Sequence, residues 1–341
     1  MKATIKDIAK SCGVSISTVS MALSEKPNRI SKKTRELVHE TAMKMNYQPN
    51  LAAVSLVNRK SKMIGIVVND LRNTHIASLF MAINKVITPS GYSMICHVLN
   101  EENPSSNMKL IKLIESENIS ALIWAKSLEI NHDQENKELC KSIESLGIPV
   151  MTMDDYRLDC AGAAICFDYE LGGYLATNHL IKYGHIRIGC VTGEKDYKVT
   201  EQRTNGYKRA LEEAGIPFEE GLVYEGNYTM ESGYRALSYL MGQGVTAIFS
   251  FNDEMAFGLY QAARMYGIRV PEDLSIIGFD DVPFADVMEI PLSTIRVPIV
   301  EMGNYLGNEI IHILKNGGIG DRIKKIYKPD LLLRASTRKQ Q

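Results

Sequence analysis

The sequence has 341 residues, a length that indicates about two domains at ~150 residues each. Hydrophobic residues make up 45% and charged residues 23%, which is typical of a globular chain and excludes a disordered one. No apolar run approaches the roughly 18 residues of a membrane span, and the start MKATIKDIAK lacks the apolar segment of a secretory signal, so we expect a cytoplasmic protein.

Charge is divided unevenly along the chain. Residues 1–60 hold 11 basic and 4 acidic side chains, a formal charge of +7, whereas the remainder carries −8. A basic amino-terminal module on an acidic body is typical of polyanion binding. A merely solvated cationic surface is the alternative that charge leaves open.

The first part of the chain predicts three short helices. Thr4 and Asp7 have the capping-box spacing, Gly13 suits a turn, and Ser15 and Ser31 suit the N-caps of the second and third helices. The side chains expected on the buried faces are Ile5, Ile8, Ala9, Cys12, Val19, Leu23, Val38, Ala42 and Met45. This spacing indicates a helix-turn-helix, whose second helix presents Ser and Thr hydroxyls to the DNA major groove.

The segment NYQPNLAAVSLVNRKSK follows, and Asn50 is placed to cap a short apolar helix. Leu56 on so short a helix has little core of its own to join. We therefore expect it to pack on a partner chain or to wedge between base steps in the minor groove.

From Met63 the pattern changes to short apolar segments that alternate with amphipathic ones. The predicted strands are 63–68, 92–99, 121–125, 149–153, 187–192, 247–251 and 274–279. Near-continuous apolar strands separated by helices indicate parallel sheets that are covered on both faces. The predicted fold class is an all-α helix-turn-helix headpiece followed by an α/β core.

Polar pairs follow four of these strands, at Asn69-Asp70, Asp154-Asp155, Asn252-Asp253 and Asp280-Asp281. Ligands of open α/β sheets bind outside the carboxyl ends of strands, and carboxylates and amides suit a polyhydroxylated ligand such as a sugar. The alternative is that these residues cap the next helix. We favour the cap for Asp155 and Asp281, and the ligand for Asp253.

Other motifs do not support an enzyme. Gly242–Ala247 matches G-x-G-x-x-A but precedes its strand, and Ser106-x-x-Lys109 has no companion motif of a serine acylase. The six cysteines have neither disulfide-framework nor zinc spacing, so we expect no disulfide, metal or other cofactor. His185 is expected to lock a helix-to-strand turn rather than to act as a base.

A set of sequence blocks carries a family resemblance along essentially the whole chain. They are TIKDIAKSCGVSISTVSMAL, NYQPNLAAVSL, HLIKYGHIRIGCVTG, RTNGYKRALEEAGI, FNDEMAFG, VPEDLSIIGFDD, PLSTI and LLLRAST. In this order they resemble blocks of the lactose-repressor/galactose-repressor (LacI/GalR) family of bacterial transcription regulators. The resemblance implies a homodimer that binds a palindromic operator in double-stranded DNA, and a periplasmic-binding-protein-like core of two parallel-sheet subdomains that closes on a small effector.

The resemblance also implies domain boundaries. The helix-turn-helix domain would span 1–60, with a hinge helix at about 50–58, and the effector-binding and dimerisation core would span 61–341. Within the core, one subdomain would comprise about 61–159 with 291–320, and the other about 160–290 with 321–341. Because no Leu heptad tail follows, we expect a dimer rather than a tetramer.

The resemblance also implies which residues of this sequence contact DNA and effector, because they match the positions of such residues in the family. The DNA contacts fall on Ser15, Ile16, Ser17, Thr18, Ser20, Met21, Arg29, Ser31, Lys33, Thr34, Asn50, Ala53 and Leu56. The effector contacts fall on Asn73, His75, Ile76, Tyr197, Arg203, Tyr228, Asn252, Asp253 and Asp280. Arg203 offers a guanidinium fork, and Tyr228 offers an aromatic face on which a sugar ring could stack.

Two departures from the family pattern limit what the resemblance implies. Met21 stands where many relatives have an Arg that reads bases, so the resemblance does not give the operator sequence. The segment NDLRNTHIASLF differs from the family's usual sequence at this place, so the resemblance does not identify the effector. We expect a repressor of carbohydrate-use genes that responds to a sugar-like effector. A cytoplasmic sugar-binding protein and a co-regulator that depends on a partner protein are the alternatives.

Overall fold

The structure is a computed structural model that describes residues 3–24, 29–47, 61–99, 106–126, 133–153, 163–317 and 323–340. The chain divides into two compact units, Met1–Ser61 and Lys62–Gln341. We call them the headpiece and the core. No helix among the described residues is long and apolar enough to cross a membrane.

The headpiece contains helices α1 (Ile5–Cys12), α2 (Ile16–Ala22) and α3 (Lys32–Lys44). Thr4 and Asp7 form the predicted capping box, and Gly13 ends α1 at φ 64°, a left-handed conformation that glycine adopts without strain. The core of this unit consists of the buried side chains Ile8, Ala9, Val19, Ala22, Val38 and Ala42. Met45 was expected in this core, but it is 36% exposed, and Tyr47 packs there instead.

The first lobe of the core has a six-stranded, fully parallel sheet. Its strands are β1 (Met63–Val68), β2 (Ser93–Val98), β3 (Ala121–Trp124), β4 (Val150–Met153), β5 (Ala163–Phe167) and β11 (Ile323–Tyr327), in the order β11-β5-β4-β3-β1-β2. The helices of this lobe are α4 (Thr74–Ile87), α5 (Ser106–Ser116), α6 (Asp133–Ser145) and α11 (Ile299–Asn316). Both faces of the sheet are covered. The consecutive residues Ile66 and Val67 of β1 point to opposite faces, and each packs in a different apolar cluster.

The second lobe repeats this architecture. Its strands are β6 (Ile188–Thr192), β7 (Val223–Glu225), β8 (Ala247–Ser250), β9 (Ser275–Asp280), β10 (Ser293–Arg296) and β12 (Asp330–Leu332), in the order β12-β10-β9-β8-β6-β7. Only the β12–β10 pair in this described sheet is antiparallel. The helices are α7 (Tyr169–Lys182), α8 (Lys198–Glu213), α9 (Met230–Gly242) and α10 (Asp253–Tyr266).

The lobe boundaries differ from those expected. Residues 160–167 and 321–327 were assigned to the second subdomain, but β5 and β11 pair in the sheet of the first lobe. Residues 291–296 were assigned to the first subdomain, but β10 pairs with β9 of the second. The chain therefore crosses between lobes after Phe167, between Arg296 and Ile299, and between Tyr327 and Asp330.

Close helix packing holds the first lobe together. A Cβ built on Gly303 of α11 would lie 2.7 Å from Ala82 Cβ and 3.1 Å from the Leu79 carbonyl oxygen of α4. One turn later, a Cβ on Gly307 would lie 2.8 Å from Val86 Cβ. The two helices approach this closely because both positions lack a side chain.

Two histidines fasten the carboxyl-terminal segment to the second lobe. His179 Nε2 lies 2.9 Å from Thr337 Oγ1, and burial lowers the pKa of His179 to about 4. His185 Nδ1 lies 2.9 Å from Thr246 Oγ1, and its Nε2 lies 3.1 Å from the carbonyl oxygen of Arg338. His185 lies in the predicted helix-to-strand turn, and its ring connects that turn to Thr246 and to the carboxyl-terminal segment.

The cysteines that the structure describes are free thiols. Cys166 and Cys190 are buried, and Cys12, Cys96 and Cys140 are half-buried. Cys160 lies outside the described residues. No group of three or more His, Cys, Asp or Glu side chains in the described ranges is arranged to hold a metal ion.

Candidate DNA-contact surface and ligand cleft

The outer face of α2 combines hydroxyls with two apolar side chains. Ser15 is the N-cap, and its Oγ accepts a hydrogen bond of 3.1 Å from the Thr18 N–H, as its sequence position predicts. Ser17 and Ser20 are exposed, and Ile16 and Met21 are 45% and 42% exposed. Val19 and Ala22 on the opposite face are buried and anchor α2 in the headpiece core. The polar face of α2 therefore remains exposed to solvent.

The start of α3 provides a second group of polar contacts. Ser31 is its N-cap, and its Oγ accepts from the Thr34 N–H at 3.2 Å. Arg29 and Lys33 are exposed beside it. Helix N-termini and basic side chains suit phosphate groups. The predicted hinge contacts Asn50, Ala53 and Leu56 lie outside the described residues.

A cleft of about 960 Å³ lies at the carboxyl ends of strands from both lobes of the core. Eight of the nine predicted effector residues line it: Asn73, His75, Ile76, Tyr197, Arg203, Tyr228, Asn252 and Asp280. The first three come from the start of α4 in the first lobe; in the second lobe, Asp280 ends β9 and the others follow β6, β7 and β8. The fold brings these eight residues together in one cleft. Their contacts with an effector stay a prediction.

Asp253 is the exception. Its side chain is fully buried and does not line the cleft. Its Oδ2 accepts from the Val282 N–H at 2.9 Å, and its Oδ1 accepts from the Thr294 hydroxyl at 2.7 Å. Burial raises the pKa of this carboxyl well above its ordinary value. The expectation that Asp253 contacts the effector is therefore wrong, because its carboxylate ties β9 and β10 together inside the lobe.

Asn73 and Asn252 each cap a helix and also line the cleft. Asn73 Oδ1 accepts from the His75 N–H at 2.9 Å and caps α4, while Asn252 Oδ1 accepts from the Met255 N–H at 2.9 Å and caps α10. Both also line the cleft.

Asp281 was expected to cap a helix, but its oxygens accept from Arg296 at 2.8 Å and Arg334 at 2.6 Å. Asp155 lies outside the described residues.

Arg203 is the main cation at the base of the cleft. It is 5% exposed, donates to the carbonyl oxygen of Phe251, and lies with its Cζ 4.0 Å from the Phe279 ring centroid. Its Nη2 lies 3.5 Å from Asp280 Oδ1. The guanidinium is therefore fixed by a carbonyl, an aromatic face and a carboxylate.

Three buried polar atoms at this base have no hydrogen-bond partner among the described residues. They are Arg203 Nε, Asp280 Oδ1 and His75 Nδ1, and His75 lies across the cleft at 4.0 Å from Asp280. Burial raises the pKa of Asp280 and lowers that of His75, and their mutual attraction opposes both shifts. Unsatisfied buried polar atoms are rare in native structures, and the hydroxyl groups of a ligand are one source of the hydrogen bonds that these three atoms lack.

Tyr228 forms one wall of the cleft in a fixed orientation. It has φ 62°, an uncommon value for a tyrosine, and its hydroxyl lies 2.7 Å from Thr200 Oγ1. Asn252 Nδ2 donates to its carbonyl oxygen at 2.9 Å. A Cβ on Gly193 would lie 2.0 Å from the ring, so this wall requires glycine at position 193.

Several cleft residues were missed by the sequence reasoning. Glu254 follows directly after Asp253, and its Oε1 accepts from Thr74 of the first lobe at 3.2 Å, so it links the two lobes. Tyr169 lies where the chain leaves β5, a strand that was not predicted. Asn69 and Asp70 were recognised as a strand-end pair but not chosen as effector contacts, and both line the cleft.

Comparison with known families gives two matches along this chain. Residues 4–50 match the model of bacterial regulatory proteins of the lacI family, and residues 177–337 match the periplasmic binding protein-like domain. The HTH-type transcriptional regulator DegA of Bacillus subtilis is 35% identical over 99% of this chain and 98% of its own length. The HTH-type transcriptional repressor PurR of Haemophilus influenzae is 31% identical over 98% and 99%.

Solved structures have the same fold. A lac repressor dimer bound to operator and the anti-inducer ONPF superposes with a TM-score of 0.86 at 24% identity, over 99% of this chain and all of that one. The transcriptional regulator CelR in complex with cellobiose gives a TM-score of 0.71 at 23% identity, over 98% and 99%. These matches confirm the predicted fold class of a helix-turn-helix headpiece and two parallel-sheet lobes.

Proposed function

Because the chain belongs to the lacI family of bacterial regulatory proteins, we propose that it represses transcription from a palindromic operator under the control of a hydroxyl-bearing effector. The three unsatisfied atoms at the base of the cleft carry the effector part of this proposal, since they come from both lobes. The exposed face of α2 carries the DNA part. The relatives are named as regulators, and catalysis forms no part of the proposal. The chain would act in the cytoplasm, where its operator lies.

The mechanism follows from linkage between two sites. A ligand that hydrogen-bonds to His75 in one lobe and to Arg203 and Asp280 in the other favours one lobe arrangement over the other. If that arrangement also changes how two headpieces of a dimer are presented, ligand and operator must alter each other's affinity by the same factor. A two-fold symmetric dimer then requires a two-fold symmetric operator.

The contacts on DNA divide into two kinds. Ser17, Ser20 and Met21 on the outer face of α2 would meet base edges, and Met21 offers apolar contact with a thymine methyl group in place of a guanine-reading Arg. Arg29, Lys33 and the N-terminus of α3 would meet phosphates and fix the position of the headpiece.

The decisive experiment for DNA binding is selection of an operator from random duplexes by the full chain, followed by titration at several salt concentrations. We expect a palindromic site, and an affinity that falls linearly on a log–log salt plot, with a slope of roughly −0.9 per phosphate neutralised. Ser20→Ala should reduce the preference for the selected site, whereas Lys33→Ala should weaken binding to all duplexes equally. Equal affinity for selected and random DNA would contradict the proposal.

The effector part is tested with two cleft variants. Arg203→Ala removes a ligand contact, and Gly193→Ala displaces the Tyr228 ring; both should lose the response of operator binding to a panel of sugars. Gly242→Ala is a matched control, because nothing lies within 4 Å of a Cβ at that position. A full sugar response in both cleft variants would exclude this cleft as the effector site.

A further inference from the structure

The sequence of α2 contains no amide or charged side chain. Residues 11–24, SCGVSISTVSMALS, include no Arg, Lys, His, Asn, Gln, Asp or Glu. In the major groove, Arg and Lys form paired hydrogen bonds with guanine, Asn and Gln form them with adenine, and Asp and Glu accept from cytosine. None of these contacts is open to α2, although the second helix of a helix-turn-helix is the one that reads bases.

The hydroxyl groups at the start of α2 are engaged with one another. Ser15 Oγ lies 2.7 Å from Ser17 Oγ and 2.9 Å from Thr18 Oγ1, and it also accepts from the Thr18 N–H. A hydroxyl group that does reach a base can either donate or accept, so it distinguishes the base pairs only weakly. Hydrogen bonds from this helix therefore provide little of its sequence specificity.

Ile16 and Met21 place two apolar side chains on the outer face of this helix. They are 45% and 42% exposed, whereas Val19 on the opposite face is buried. At about 100° per residue, Ser17 and Ser20 lie between Ile16 and Met21 on an arc of about 140°. The two apolar side chains are also about 7.5 Å apart along the helix axis, so they reach different base pairs.

The charge of the headpiece indicates that this face meets DNA rather than another protein. Residues 1–60 carry a formal charge of +7, and Arg29 and Lys33 are exposed near the start of α3. On the major-groove edges of the four bases, the apolar group is the 5-methyl group of thymine. An apolar side chain that enters the major groove therefore has a pyrimidine methyl group as its partner.

On these observations we propose that Ile16 and Met21 recognise the 5-methyl groups of pyrimidines, and that these methyl groups select the operator bases under α2. The inference rests on the DNA binding proposed above and names the chemical group that is recognised. It predicts that 5-methylcytosine can replace thymine at these positions. Both bases carry the methyl group, and the hydroxyls of Ser17 and Ser20 can accept from the cytosine amino group or donate to thymine O4. Methylation of a cytosine at such a position would raise the affinity for the operator.

The test removes single methyl groups from the operator that the full chain selects from random duplexes. Deoxyuridine replaces thymidine at one position at a time in both half-sites, which keeps every hydrogen-bonding group of the base. One buried methyl group contributes about fourfold in affinity, so the loss of one in each half-site should weaken binding about 15-fold. We expect one such position for Ile16 and another for Met21.

The converse experiment adds the methyl group to a different base. At the same two positions, cytosine or 5-methylcytosine is placed opposite guanine in both half-sites. The methylated duplex should bind about 15-fold more tightly than the unmethylated one. Equal affinity of these two duplexes would overturn the proposal.

Alanine variants of the full chain assign each methyl group to its side chain. Ile16→Ala should bind the thymidine and deoxyuridine operators equally at one position, and Met21→Ala should do so at the other. Met43→Ala is the matched control, because Met43 is 76% exposed but lies on α3, and it should keep both sensitivities.

The outcomes distinguish methyl recognition from DNA binding itself. If the full chain selects no operator, the proposed DNA binding fails, and methyl recognition fails with it. An operator that binds equally well with deoxyuridine at every position leaves repression standing and overturns methyl recognition. Sensitivity to deoxyuridine that persists in both alanine variants also overturns it, since the methyl groups would then act through the shape of the DNA.

Discussion

Asp253 stabilises the second lobe from inside, although it directly follows Asn252, which lines the cleft. Its two oxygens accept from the Val282 N–H and the Thr294 hydroxyl, and no water reaches the side chain. Removing the carboxylate would leave two buried donors without partners, and each such donor costs about 1–3 kcal/mol. A role in stability is therefore expected for Asp253, and a role in ligand binding is not.

Asp253→Ala should lower the free energy of unfolding of the core by about 2–4 kcal/mol. Chemical denaturation followed by far-UV circular dichroism measures this, because the one tryptophan in the sequence, Trp124, lies in β3 of the first lobe and not in the lobe that Asp253 stabilises. Ligand affinity should change less than tenfold once the variant is folded. Wild-type stability combined with lost ligand binding would reverse the assignment.

His179 predicts a pH dependence at the carboxyl-terminal segment. Its pKa is about 4 in the folded chain against 6.5 ordinarily, so the unfolded chain binds more protons between those values. The free energy of unfolding therefore falls as the pH is lowered through this window, by about 1–2 kcal/mol from pH 6.5 to pH 5.

The measurement is denaturation at several pH values in the wild type and in His179→Gln, which should show a shallower slope below pH 6.5. His312→Gln is the control, because His312 is exposed on α11. Identical slopes in the wild type and His179→Gln would contradict the role of His179.

At the scale of elements, the contact between α4 and α11 decides how the first lobe holds together. Gly303→Ala would place a Cβ 2.7 Å from Ala82 Cβ and would force the helices apart, at a cost of about 1–3 kcal/mol. Gly242→Ala, in open space at the end of α9, should be neutral or stabilising by up to about 1 kcal/mol. Denaturation midpoints compare the two variants, and equal shifts would show that the contact is not tight.

Elements also show how far the sequence predicts this fold. All seven predicted strands are present, because each is a near-continuous apolar run in the sequence; six of them are buried, whereas the edge strand β2 keeps Ser93 and Val98 exposed. The segment IKKIY of β11 was missed because this edge strand is not a continuous apolar run, and STIR of β10 was missed because four residues leave little periodicity to detect. Missing them moved the lobe boundaries, since a strand belongs to the sheet with which it pairs.

The location of the cleft was predicted correctly, whereas the role of one residue, Asp253, was not. Parallel strands bring their carboxyl ends to one edge, so eight strand-end and helix-start residues meet in the cleft as expected. Asp253 and Asp280 carry the same signal in the sequence, a carboxylate just after an apolar strand. The two residues differ in the direction of their side chains, because Asp253 points into the lobe and Asp280 points into the cleft. The direction of Asp253 depends on its hydrogen bonds to Val282 and Thr294, which are distant in sequence.

For the whole molecule, a groove of about 560 Å³ spans both lobes beside the cleft. Met81 of α4, Pro283 and Val300 line it, and Met81 and Val300 are 63% and 56% exposed. Isolated exposed apolar residues are ordinary, but a continuous apolar surface marks an interface. We expect a second copy of the chain to cover this groove, so that a change in lobe arrangement reaches the partner.

Met81→Asp combined with Val300→Asp should therefore weaken the dimer at least tenfold, because like charges would be buried at the interface. Light scattering on a dilution series would show the monomer mass of 38.1 kDa. Ile186→Lys is the control, since Ile186 is 70% exposed but does not line the groove. Unchanged dimer mass in the double variant would place the interface elsewhere.

The chain passes between the lobes three times, and this bears on how the protein tolerates damage. A protease that cleaves one passage leaves two covalent tethers, and each lobe keeps strands from distant parts of the sequence. A singly nicked molecule should therefore stay assembled and keep its ligand. For the same reason, neither half can be cut out as a contiguous gene fragment without taking strands from its neighbour.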